Sequence, residues 1–293
     1  MVSIPNKPTV FDPKNWGDPL TPKQVGNIRV PVQVPDSYRA FPHEQYISLI
    51  ERELDKQGFV ASEGVHYACK SRVPKDSNGN PKINDLPERG RFLSLWGVKH
   101  PLLPDIPGLS WEVGGNNSYD MSCSNEILLA RRVLICSNGM VLSKIDSRMR
   151  KKHTKGIDRD YDGQFERLQI MVQKAIGNLH TMATEEAGRI ENRKQVEVTD
   201  DDMRYLCVEA AKDKVIGWAA IERVMEHWHN PEHVEFKDRN LWSAENAFTS
   251  NDRGANVMTQ GTRFSRLDSI IAKRYGEESC SNLLQSANSP ADW

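Results

Sequence analysis

A dense group of cations lies in the middle of the chain, between Arg131 and Gly156. This segment holds eight cations and one acid, Asp146, so its local charge is 8 − 1 = +7, whereas the whole chain has a net charge of −1. Clustered lysine and arginine side chains are the groups that contact phosphates, and a polyanion-binding face would show this asymmetry. The cations predicted to bind nucleic acid are Arg131, Arg132, Lys144, Arg148, Arg150, Lys151, Lys152 and Lys155. The alternative is a solvated turn whose charges keep a hairpin soluble.

A short polar element, Asn117–Ser122, reads Asn-Ser-Tyr-Asp-Met-Ser and precedes the basic segment. Asparagine, serine and aspartate side chains bind their own backbone in turns, so we predict a structural or site-lining role and no catalytic triad. A functional role would place this element beside the Cys136–Met140 turn. The chain contains no P-loop, nucleophile elbow, zinc-protease helix motif or dinucleotide fingerprint. No catalytic residue is therefore assigned, and a non-enzymatic protein is favoured.

Three histidines, His227, His229 and His233, form the densest imidazole group in the chain. Imidazole is a good ligand for zinc, but this spacing matches no recurrent site, and Pro231 interrupts the helix that would orient the rings. Histidines also suit the negative end of a helix dipole. We therefore predict neither a bound metal nor a cofactor.

The spacing of apolar residues along the sequence predicts the strands and helices that position these residues. Between Phe59 and Ser143 the period is close to two, which is typical of strands. The candidate strands are Phe59–Val73, Phe92–Val98, Leu109–Val113 and Glu126–Ile135, with a return through Met140–Ser143 after the Asn138-Gly139 turn. Helical spacing predicts helices at His43–Gln57, from Phe165 to about Arg193, after a Thr199-x-x-Asp202 capping box, at Trp218–Trp228 and at Phe264–Tyr275. Strands followed by helices predict an α+β fold with an antiparallel sheet in the first half and a mainly helical second half.

The domain organisation is predicted from composition. Residues 1–40 form a proline-rich N-terminal arm, 41–275 a single α+β domain (β-rich over 59–157 and helical over 158–275), and 276–293 a flexible tail. Proline favours an extended arm, which would lie on its own domain or on a neighbouring subunit of a homo-oligomer. No apolar run reaches the ~20 residues that span a bilayer, and the N-terminus lacks a hydrophobic signal core. The five cysteines form no Cys-x-x-Cys pair, which favours a reducing cytoplasm.

Several motifs together give a family resemblance. They are Asn117–Ser122, Cys-x-Asn-Gly at Cys136–Gly139, Lys-His-Thr-Lys-Gly at Lys152–Gly156, Tyr67–Val73 and Leu241–Thr249. Over roughly residues 40 to 275 the chain resembles the uncharacterised phage and plasmid-like proteins grouped as domain-of-unknown-function family 932. The motif residues are Asn117, Ser118, Tyr119, Asp120, Ser122, Cys136, Asn138, Gly139 and His153. One departure is Met121, where relatives commonly have glycine.

The resemblance implies a mobile-element origin, with a bacterial host cytoplasm as the location, and transfers no catalytic residue. Two functions are consistent with it and with the charge pattern. The first is a nucleic-acid-binding protein of phage DNA metabolism, such as a single-stranded DNA binding or annealing factor in recombination. The second is a counter-defence or regulatory protein that binds a host protein without enzymatic activity.

Overall fold

The computed structural model describes residues 17–35, 38–106, 109–133, 138–142, 149–151, 161–251 and 257–276, with only the backbone described over 131–164 and 257–261. Within these ranges the chain forms a sheet in its first half and helices in its second, so the predicted α+β class is confirmed.

One antiparallel sheet of seven strands occupies the described part of the first half. Strands β3, β4 and β5 form its centre; β1 and β2 pair along the outer side of β3, and β6 and β7 along the outer side of β5. The strands are β1 Val60–Ala61, β2 Val65–Cys69, β3 Arg91–Lys99, β4 Leu109–Ser118, β5 Asn125–Val133, β6 Asn138–Leu142 and β7 Met149–Lys151.

Three strand predictions differ from the structure. The strand predicted over Phe59–Val73 is divided into β1 and β2, which both pair with β3, and it ends at Cys69. The other two differ because the residues pair with a neighbouring strand. Strand β4 does not end at Val113 but continues to Ser118, with Gly114–Ser118 paired residue by residue to β3. Asn138 and Gly139, predicted as a turn, belong to β6, where they pair with Val133 and Arg132.

Helices make up most of the described second half and also flank the sheet. They are α1 Pro22–Gly26, α2 His43–Lys56, α3 Tyr161–Gly177, α4 Leu179–Lys194, α5 Asp200–Lys212, α6 Ile221–His229, α7 Leu241–Asn251 and α8 Val257–Tyr275, with short 3-10 turns at Trp218–Ala220 and Val234–Phe236. The predicted capping box forms: Thr199 Oγ accepts from Asp202 N at 3.1 Å, and Thr199 N donates to Asp202 Oδ2 at 3.2 Å.

Three helical predictions need correction. The stripe expected to run unbroken to Arg193 is interrupted at Asn178, between α3 and α4. Trp218, predicted on an apolar helix face, is 61% exposed in a 3-10 turn. The arm is not extended throughout, because a capped helical turn, α1, forms at Pro22–Gly26 and buries Val25. None of the helices in the described part of the chain is long and apolar enough to cross a membrane.

Three apolar clusters hold the elements together. The smallest lies on the sheet face away from α2 and consists of Val65, Tyr67, Cys69, Leu93, Leu95 and Leu128. The sheet–helix core joins one face of the sheet to α2, α3 and α4, and includes Ile50, Trp96 and Ile176. The helical core joins α5, α6, α7 and α8, and includes Leu206 and Val224. The two cores meet along α7 and α8, so the sheet and the helical half share one packed interior.

Candidate functional site

The structure distributes the predicted nucleic-acid-binding residues along strand β5 and its outer neighbours. Arg131 and Arg132 lie near the C-terminal end of β5, where they pair with Met140 and Gly139 of β6. Arg150 and Lys151 belong to β7, which pairs with the N-terminal end of β5. The two ends are about six residues apart along β5, or ~20 Å. Lys144, Arg148, Lys152 and Lys155 lie outside the described residues.

Strand alternation separates these four positions into two pairs. Arg132 and Arg150 have the parity of Leu128 and Glu126, and therefore belong to the sheet face away from α2. Glu126 is directly opposite Arg150, is 3% exposed, and accepts a hydrogen bond from Ser124 Oγ at 3.2 Å.

The Asn117–Ser122 element lies at the end of the sheet where β4 turns into β5. The ring of His43, the first residue of α2, stacks between Tyr119 (centroids 3.8 Å apart) and Phe92 (4.7 Å). Tyr119 OH accepts from His43 N at 2.9 Å, and Asn117 Nδ2 lies 2.7 Å from the Phe41 carbonyl and 2.9 Å from His43 Nδ1. Because the amide nitrogen can only donate, Nδ1 accepts and the imidazole proton belongs on Nε2.

The turn after β4 is held by its own side chains. Asp120 accepts from Arg72 N at 2.7 Å and from Ser122 N at 2.9 Å. Ser118 Oγ donates to the Cys123 carbonyl at 2.9 Å. Met121 has a φ of 62°, in the left-handed region that favours glycine.

Two further groups at this end of the sheet are buried and neutral. Burial raises the pKa of the Tyr38 hydroxyl far above its ordinary value, and the charge of Asp120 adds to the effect. Burial also raises the pKa of the Cys123 thiol to about 11. A thiol with this pKa is protonated at neutral pH, so Cys123 does not have the properties of a nucleophile.

The structure does not bring the motif residues together into one site. Asn138 of β6 pairs with Val133, at the opposite end of β5 from Asn125 and the Asn117–Ser122 turn. Eight residues of strand separate the two ends, roughly 26 Å. The Cys136 and His153 predictions lie outside the described residues. The geometry required for a shared functional role with the Cys136–Met140 turn is therefore not met at Asn138.

A buried serine–histidine pair is a feature that sequence reasoning missed. His66 Nδ1 lies 2.6 Å from Ser94 Oγ, and the two residues are 2% and 0% exposed. The residues are 28 positions apart and are in contact because β2 pairs with β3. No local sequence pattern therefore predicts the pair. A serine with no accessible surface cannot meet a substrate, and the pair therefore satisfies polar groups within the sheet–helix core.

The histidine-rich end of α6 opens into a cleft of about 410 Å³, lined by Trp228, His229, Asn230, Pro231, Lys237 and Arg239. Asp200, at the start of α5, accepts from Trp228 Nε1 at 2.8 Å and from Arg239 Nη1 at 3.2 Å. The Trp228 hydrogen bond, then the nearby His229 and Arg239, lower the pKa of Asp200. Within the part of the chain that is described, no group of three or more histidine, cysteine or acidic side chains is arranged to hold a metal ion.

No family model, curated protein or solved structure matches this chain. Arguments about function therefore depend on the residues and their geometry.

Proposed function

We propose that this protein binds nucleic acid, with single-stranded DNA favoured, along the outer edge of the sheet formed by β5, β6 and β7. The observation that supports this proposal is the position of the basic segment. Its strand residues lie at both ends of β5, ~20 Å apart, instead of in one compact turn. A polymer of phosphates can contact cations spread over that length, whereas a single small anion cannot.

The charge distribution supports the same proposal. The segment from Arg131 to Gly156 has a charge of +7 within a chain of net charge −1, so the rest of the chain has −8. The negative charge of the rest of the chain repels nucleic acid from the other surfaces. It therefore favours one orientation of the protein, with the basic edge towards the nucleic acid. Binding, annealing and recombination of phage DNA are the functions that fit the resemblance, and none requires a catalytic residue.

The test is binding of a fluorescent oligothymidine across a salt series. The informative variant replaces Lys144, Arg148 and Lys155 by glutamine, because these cations lie between and beyond the paired strand positions. The matched control replaces Lys70, Lys75 and Lys82, three exposed lysines near β2, by glutamine, so the same net charge is removed. The basic-edge variant should bind about tenfold or more weakly at low salt. The slope of log K against log salt should fall by ~0.7 for each phosphate that is no longer neutralised.

Two outcomes would overturn the proposal. One is a wild-type protein with no affinity for single-stranded DNA or RNA at low salt. The other is equal weakening by the control variant, because binding would then follow net charge and not the sheet edge.

The alternative function, binding of a host protein, is favoured by one observation. Trp218 is 61% exposed, and a large exposed aromatic residue is a common anchor at protein interfaces. Replacing Trp218 by alanine should leave DNA binding unchanged and should abolish capture of a host partner if this alternative is right.

A further inference from the structure

The cleft at the C-terminal end of α6 has a preorganised cation in its wall. The Arg239 guanidinium lies 4.6 Å from the centroid of the Trp228 ring, with Nη1 3.2 Å from Asp200 Oδ1 and Nη2 3.5 Å from His229 Nδ1. An aromatic face, a carboxylate and an imidazole thus fix the plane of the guanidinium. Arginine has five N–H donors, so donors remain after these interactions.

Three acids of α5 and α6 close to the cleft in sequence have partners. Asp201 pairs with Arg204 at 2.6 Å, and Asp202 pairs with Arg274 at 2.8 Å. Glu226 accepts a hydrogen bond from Asn230 Nδ2 at 2.8 Å.

Lys237 differs from these residues. It is exposed, lines the cleft, and makes no ion pair with any residue in the described part of the chain. Among the described residues, the cleft lining contains two cations, Lys237 and Arg239, and no acid. With Asp200, which accepts from Arg239, these groups have a charge of 2 − 1 = +1.

We infer that this cleft binds one tetrahedral oxyanion of the phosphate or sulfate class, held by Lys237, Arg239 and His229. This site goes beyond the proposed function, because it lies in the helical half and takes a single anion, not a polymer. Three donors from two segments surround an anion from several directions, which suits tetrahedral oxygens better than a planar carboxylate. Because Nη2 of Arg239 can only donate, His229 Nδ1 is the acceptor in that interaction, and its Nε2–H is a third donor.

The experiment is calorimetric titration with sodium sulfate at pH 7.5, with ionic strength held constant by sodium chloride. Sulfate keeps its charge over this range, so the anion itself adds no proton equilibrium. Wild-type protein should bind sulfate, and Lys237→Gln should bind about tenfold more weakly, because one charge-assisted hydrogen bond is removed. The control is Lys273→Gln, which removes an exposed lysine in the last turn of α8 and should not change the affinity.

Inorganic phosphate and thymidine monophosphate, titrated in parallel, distinguish the two sources of such an anion. Equal affinity assigns the site to the free anion, and tighter binding of the nucleotide assigns it to the phosphate of a nucleotide. Absence of binding by all three anions would overturn the inference, as would equal weakening in the Lys273→Gln control. Failure of DNA binding in the basic-edge experiment leaves this result unaffected, because the two sites share no residue.

Discussion

Single residues in the Asn117–Ser122 element have structural interactions that their sequence pattern only partly predicted. The Asp120 carboxylate accepts two backbone N–H groups, from Arg72 and Ser122, and is 2% exposed. Asp120→Ala leaves both donors without their partner, so we expect the free energy of unfolding to fall by about 2–4 kcal/mol. Urea denaturation measures the change, and Asp55→Ala, at an exposed position on α2, is the control. Unchanged stability together with abolished DNA binding would instead indicate a functional aspartate.

Asp85 gives a prediction about pH. Its carboxylate accepts from Val32 N at 2.8 Å and Gln33 N at 3.0 Å, and these bonds, Val32 first, lower its pKa. A carboxylate with a folded pKa below the unfolded value of about 3.9 stabilises the fold above that value, and the contribution is lost as pH falls through the folded pKa. The stability difference between wild type and Asp85→Asn should therefore be full at pH 7 and shrink below about pH 4. A difference that persists unchanged at pH 2.5 contradicts this account.

At the scale of elements, the close approach of α2 to the sheet depends on Gly115. A Cβ at this position would lie 2.5 Å from Ile50 Cδ1, closer than atoms can approach. Gly115→Ala should cost about 1–3 kcal/mol of stability, and Ile50→Val should recover part of that stability because it removes the clashing methyl. Gly188→Ala, in α4 with no atom near its added Cβ, is the control and should stabilise by about 0.5–1 kcal/mol. If Ile50→Val worsens Gly115→Ala additively, the clash is not the cause.

The same glycine shows why part of the fold escaped prediction. The spacing of Tyr46 and Leu54 was sufficient to predict α2, because an amphipathic helix shows its buried face in local sequence. Gly114 and Gly115 resemble a turn locally. Gly115 packs against Ile50, 65 positions away, and Gly114 packs against Leu95 and Leu128 on the opposite face of the sheet. Residues 241–249 of α7 are all buried, including the polar ones. This part of the helix has no exposed face, and its sequence therefore shows no amphipathic pattern. The basic residues of the candidate site were predicted from the sequence, but their spacing was not. The pairing of β6 and β7 with opposite ends of β5 sets the distance between the strand positions.

A buried ion network joins three helices of the second half. Arg193, 1% exposed, donates to Glu245 at 2.7 Å and to Asp268 at 2.5 Å, and Arg189 donates to Asp268 and, bidentately, to Glu186. The network therefore links α4 to α7 and α8.

Arg193→Met should destabilise the protein by about 3–5 kcal/mol, because the buried Glu245 is then without its cation. The double variant with Glu245→Gln should be more stable than the single variant, since the unpaired charge is gone. Arg204→Met breaks an exposed pair with Asp201 and should cost no more than about 1 kcal/mol. Thermal and urea unfolding measure all three, and an Arg193 effect as small as that of Arg204 would exclude a structural network.

For the whole molecule, the described part of the N-terminal arm packs on the domain. Leu20 N donates to the His66 carbonyl at 2.7 Å, Val25 is 1% exposed within the sheet–helix core, and Val32 and Gln33 are bound by Asp85. Residues 17–35 therefore lie on their own domain, which is one of the two positions predicted for the arm. Residues 1–16 of the arm lie outside the described residues.

Two shortened chains separate folding from self-association. Removal of residues 1–33 eliminates α1 with Val25 and both Asp85 hydrogen bonds, so we expect the unfolding free energy to fall by roughly 3 kcal/mol or more. Removal of residues 1–16 leaves those interactions intact and should change the unfolding free energy little, which makes it the valid sample for light scattering. If the full chain is oligomeric at tens of micromolar and the chain from Gly17 is monomeric, residues 1–16 bind a neighbouring subunit. If both are monomeric, residues 1–16 do not mediate association. The unfolding measurement is a separate test: equal unfolding temperatures for the full chain and the chain from Val34 would show that residues 17–35 do not contribute to the stability of the domain.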